Sequence, residues 1–121
     1  MNADRRFPAS VYRHGSEPDA RFTLANERTF LAWIRTALAL VAGGVALELL
    51  GLELHAGLRL AASLVLVIVG VLVPALAWLN WTHTERALRR AEPLPASQLG
   101  PVLAGAVTVA GALVLLAILL A

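Results

Sequence analysis

Ala25-Asn26-Glu27-Arg28-Thr29-Phe30-Leu31-Ala32-Trp33-Ile34-Arg35-Thr36 is the stretch where a polar, arginine-bearing segment becomes a hydrophobic helix. At helical period Ala25, Arg28, Ala32, Arg35, Ala39, Ala42 and Ala46 share one face, because seven residues bring a side chain almost back over itself. That face is narrow and carries two guanidinium groups, one above the other. Beside it Leu31, Ile34, Leu38, Val41, Val45 and Leu49 form a bulky apolar face suited to lipid or a partner helix. An arginine at the edge of a membrane span is costly unless it meets an anion, a carboxylate or water. What satisfies Arg28 and Arg35 is therefore the central functional question.

The composition supports a membrane setting. Of 121 residues, 59% are hydrophobic, and the mean hydropathy is +0.74, outside the balance of soluble domains. All ten basic residues are arginine and the net charge is only +2, so nucleic acid is not an indicated partner. Cysteine is absent, which removes disulfides and thiolate chemistry. His14, His55 and His83 have no second ligand at metal spacing. No metal or cofactor is expected.

Outward from the opening stretch, the fold class is an all-α membrane protein of three spans behind a polar, amphipathic N-terminal segment. Residues 1–21 read as an irregular or partly disordered tail, with Pro8, Gly15 and Pro18 and no apolar periodicity. Arg5-Arg6 resembles a twin-arginine signal, but Tyr12 to Ala20 lacks the apolar run that a cleavable signal needs. The first span is then an uncleaved signal-anchor. Residues 22–121 form one transmembrane domain with helices over about 26–50, 60–81 and 99–121, the second extending through 91. Thr23 or Asn26 is the expected cap of the first, and Gly51 and Gly57 mark its turn. Pro74 predicts a kink in the second helix, and Trp78 and Trp81 suit the headgroup level. Gly100, Ala104, Thr108 and Ala112 form a row that favours close packing of the third helix.

Arginine placement predicts orientation. Arg5, Arg6, Arg13, Arg21 and Arg28 precede the first span, and Arg86, Arg89 and Arg90 follow the second. Only Arg59 lies in the loop between them, among Glu48 and Glu53. The positive-inside rule puts the N-terminus and second loop in the cytoplasm and the C-terminus outside.

The run Arg21-Phe22-Thr23-Leu24-Ala25-Asn26-Glu27-Arg28-Thr29-Phe30-Leu31-Ala32-Trp33-Ile34-Arg35-Thr36, with Gly43-Gly44-Val45-Ala46 beyond it, resembles the small three-span membrane proteins of unknown function typified by YidH. The likeness extends over the whole chain in topology and is specific in that first helix. It implies a bacterial-type inner membrane location. The same domain is similar to the transmembrane part of the vacuolar transporter chaperone complex, where such units surround a polyphosphate path lined by basic side chains. That similarity implies that Arg28 and Arg35 meet a phosphate-bearing anion, with Glu27 as a structural or gating partner. The chain shows no polymerase or phosphate-sensing domain, so polyphosphate synthesis is not implied.

Two accounts of the arginines stay open on sequence. A ring of them from several protomers makes an anion-selective constriction, gripped through the guanidinium fork, with Asn26 and Thr36 beside it. Alternatively Arg28 snorkels to lipid phosphates and Arg35 pairs with Glu27. By count along its own helix, Arg35 lies about one turn into the apolar region. Glu27 reads first as a structural ion-pair partner. Arg86, Arg89 and Arg90 read as a topology signal, or as a vestibule that gathers anions or docks anionic lipid. Gly43 and Gly44 read as a site of close packing. No serine has a convincing histidine and carboxylate, so enzyme is the weakest class.

The expectation is a homo-oligomer in contact with membrane lipids, since one three-helix unit is too small to enclose a guarded path. Its first helices would bind and conduct phosphate-like anions. The competing expectation is a non-transporting accessory or scaffold subunit of another membrane complex.

Overall fold

The computed structural model describes residues 6–13, 15–50 and 53–121. Arg5, His14 and Gly51, which figure in the sequence reading, lie outside them. The elements are α1 (Ala9–Tyr12), α2 (Ala20–Leu49), α3 (Ala56–Arg89) and α4 (Leu99–Leu119). The last three are long and apolar enough to cross a membrane.

α2 begins six residues before the expected position. Asp19, and neither Thr23 nor Asn26, is its cap, with its Oδ1 accepting from the Arg21 backbone N–H at 2.9 Å. The Arg21 side chain, and then that backbone N–H, hold the Asp19 carboxyl below its usual range. Thr23 and Asn26 are thereby released for contacts with α3. α3 runs unbroken through Pro74 and includes the whole expected extension as far as Arg89. It stops in a Schellman-type turn, with the Glu92 N–H donating to the Ala87 carbonyl and the Ala91 N–H to that of Leu88. Ala91 takes the left-handed conformation at φ 52°.

α3 is the central helix. It packs along both α2 and α4, while among the described residues α2 and α4 make no close backbone approach. Ala37 and Leu40 of α2, Val73 and Ala77 of α3 and Leu99 of α4 make the buried core. Two glycines bring α2 and α3 together. A Cβ on Gly44 would lie 2.8 Å from the Ser63 carbonyl oxygen, and one on Gly70 would lie 3.0 Å from that of Ala37. The close packing read at Gly43-Gly44 therefore falls on Gly44.

The small-residue row of α4, Gly100, Ala104, Thr108 and Ala112, is exposed. A different series, Ala106, Ala110 and Ala117, is buried, with Leu99 and the half-buried Leu103 at its start packed into the core. The outward row is therefore open to packing with something other than α3.

The segment before α2 is more ordered than its composition suggests. α1 packs on α3 with Val11 fully buried. Gly15, at φ +61°, sits so close to the Arg89 carbonyl that a Cβ there would overlap it, and the Ser16 N–H donates to that carbonyl at 3.0 Å.

Candidate functional site

Both candidate sites are set by the α2–α3 register. Asn26 Nδ2 donates to the Trp81 carbonyl at 3.1 Å and to Glu85 Oε2 at 3.1 Å. Thr23 Oγ1 donates to Glu85 Oε1 at 2.9 Å. Glu85 is 1% exposed and Asn26 6%, so a carboxylate is buried on neutral donors from the facing helix. At the other end of the seam Glu48 Oε1 accepts from Arg59 Nε at 3.3 Å and from Ser63 Oγ at 3.5 Å.

Glu85 was absent from the sequence reading. Its signal was the four-residue series Val73, Ala77, Trp81, Glu85 and Arg89, which continues the buried face of α3 beyond its apolar part. Asn26, expected beside the arginines, belongs to this network and turns away from them. Trp81, expected at the headgroup level, is likewise buried and stacks on the more exposed Trp78.

The alanine-arginine strip lies on the opposite side of α2. Ala25, Arg28, Ala32, Arg35, Ala39 and Ala42 are all exposed, as is Glu27. Among the described residues none of Glu27, Arg28 and Arg35 forms an ion pair, so the expected Glu27–Arg35 pair does not form within one chain. Thr36 is half-buried, and its hydroxyl donates to the Ala32 carbonyl at 3.1 Å.

The register also relocates Arg35. Ala37 abuts Gly70, near the centre of the uncharged run 60–81 of α3. Arg35 is two residues from Ala37, about 3 Å along the axis. It is therefore level with the middle of the neighbouring span, deeper than counting along α2 alone indicates.

Arg86, Arg89 and Arg90 do not form one group. Arg89 is 4% exposed, donates to the Tyr12 carbonyl at 3.0 Å and pairs with Glu17 at 3.3 Å. Arg6 pairs with the same carboxylate and lies over the Tyr12 ring. Arg89 is thus the anchor of the N-terminal segment and not part of an open vestibule. Arg86 and Arg90 face a groove lined only by α3 and the loop after it, away from the α2 strip.

The model of a domain of unknown function, DUF202, matches residues 21–87, the α2–α3 hairpin. The chain belongs to the DUF202 family. It is 54% identical over 80 residues to the uncharacterized protein Rv2272 of Mycobacterium tuberculosis, a match covering 65% of this chain and 66% of that one. It is 43% identical over 86 residues to the inner membrane protein YidH of Escherichia coli, covering 70% of this chain and 75% of YidH. No solved structure matches. With three apolar helices of spanning length, this DUF202 protein is a small multi-pass inner-membrane protein. The matched hairpin holds Arg28, Arg35 and the Glu85 network, and leaves out α1 and α4.

Proposed function

We propose that the protein assembles as a homo-oligomer in which the strip from Ala25 to Ala42 of each α2 lines a shared path. Arg28 and Arg35 bind phosphate-like anions there and let them pass. The observation that carries this proposal is Arg35, exposed and without an ion pair among the described residues, level with the centre of α3. Its guanidinium stays charged at any physiological pH. At the centre of a lipid-facing helix such a charge costs about 2.5–3.5 kcal/mol, a cost that water or an anion in a shared path relieves. The surrounding alanines let neighbouring helices approach closely, and stacked arginine rings select anions. One three-helix unit is too small to enclose a guarded path, so the path needs several copies. The arginine-rich end faces the cytoplasm by the positive-inside rule.

The test is anion flux in liposomes containing the purified protein. Wild type is expected to pass anions, and Arg35→Ala to change that flux at least tenfold. Flux equal to protein-free vesicles for several anions overturns the proposal.

The outward row Gly100, Ala104, Thr108 and Ala112 favours a second possibility, an accessory subunit that docks on another membrane protein through α4. It predicts one stoichiometric partner, lost on Ala104→Leu and indifferent to Arg35→Ala.

A further inference from the structure

Two adjoining grooves lie on α3 beside the loop to α4, and His83 lines both. One, of about 170 Å³, runs over Leu76, Leu79, Asn80 and Leu99. The other, of about 210 Å³, is lined by Arg86, Arg90, Glu92 and Pro93. His83, Arg86 and Arg90 follow each other at intervals of three and four, so they share one stripe of α3. From Leu76 to Arg90 the helix rises about 21 Å, from the uncharged span to well beyond it.

None of the three basic side chains has a hydrogen-bond or ion-pair partner among the described residues. The Arg86 Nε is enclosed and has no acceptor. Arg89, between them in sequence, is tied to the N-terminal segment, so the free charge at this end of α3 is concentrated in the groove. Glu92 offsets one of the two permanent charges and leaves the groove cationic.

We infer that this groove binds an anionic phospholipid, its phosphate held by Arg86, Arg90 and His83 and an acyl chain lying along Leu76 and Leu79. Basic pockets beside membrane helices recognise anionic headgroups in this way. Guanidinium suits the task because it grips phosphate through two donors. A free anion would use the basic groove alone and leave Leu76, Leu79, Ala96 and Leu99 of the adjoining groove, which also carries Asn80 and Gln98, without a role. The site is on the far side of α3 from the α2 strip, so the inference is independent of conduction.

The experiment measures quenching of the tryptophan fluorescence, from Trp33, Trp78 and Trp81 together, by brominated phosphatidylglycerol, against brominated phosphatidylcholine and phosphatidylethanolamine, in vesicles of the full-length protein. A preference for phosphatidylglycerol of about fivefold or more is expected. The Arg86→Gln/Arg90→Gln pair should bring it close to one. Arg86→Lys/Arg90→Lys should retain part of it, which separates charge from misfolding. Arg13→Gln/Arg21→Gln, which removes equal charge outside the groove, should leave it unchanged. Equal quenching by all three lipids in wild type overturns the inference, as does a preference that survives the glutamine pair. Loss of the preference on adding millimolar inorganic phosphate at constant ionic strength also overturns it, because the occupant would then be the free anion.

Discussion

On the side of α2 turned toward α3, every polar group described above has a partner. Thr23 and Asn26 hold Glu85, Gly44 admits the backbone of α3, and Ala37 and Leu40 join the core. On the opposite side, Arg28 and Arg35 stand among alanines with no ion pair among the described residues. The difference shows how one helix divides its work. The inner face spends its polar residues on fixing register, and the outer face holds charge that register does not use. The DUF202 model matches the hairpin that contains both faces.

The contrast breaks most decisively at Glu85. Glu85→Ala removes the acceptor of the Thr23 hydroxyl and of one Asn26 N–H, whose other bond to the Trp81 carbonyl remains. It also leaves a cavity, and should lower the stability of the α2–α3 hairpin by about 3 kcal/mol. Unfolding in mixed detergent micelles measures this, and a loss below about 1 kcal/mol would show that the buried network is dispensable. Gly70→Ala should cost about 2 kcal/mol, since its Cβ must push against Val41 and the Ala37 carbonyl. Here the same unfolding assay applies, and a neutral result would mean that the seam is looser than described. On the outer face, Leu38→Ala should change protomer stability by no more than about 0.5 kcal/mol. A larger loss, seen together with a shift in oligomer size by light scattering, would place that face in a packed interface.

Much of the fold was legible in the sequence. Three uncharged or nearly uncharged runs of spanning length predict three membrane helices, and alanine and arginine at seven-residue spacing predict the strip. The boundaries were less so. Asp19 caps α2 because its short carboxylate reaches the Arg21 amide, and nothing in the local pattern ranks it above Thr23 or Asn26. The partner of the α4 row was not legible, because small residues pack closely only where a neighbour is present, and sequence does not say which side has one. The candidate site was half legible. Arg28 and Arg35 stand out by charge in an apolar helix, whereas Glu85 and Arg89 sit in an ordinary charged-looking run and are buried only by what folds onto them.

The sequence by itself determined what shares a face with what, because the 3.6-residue turn fixes the angle between side chains on one helix. Relations between helices were decided only by the tertiary structure. Gly44 and Gly70 are where α2 and α3 can touch, and that contact sets Arg35 level with the centre of α3 and Asn26 against Glu85. The physical reason is that register depends on where backbones can approach, a property of two surfaces together that neither helix carries alone.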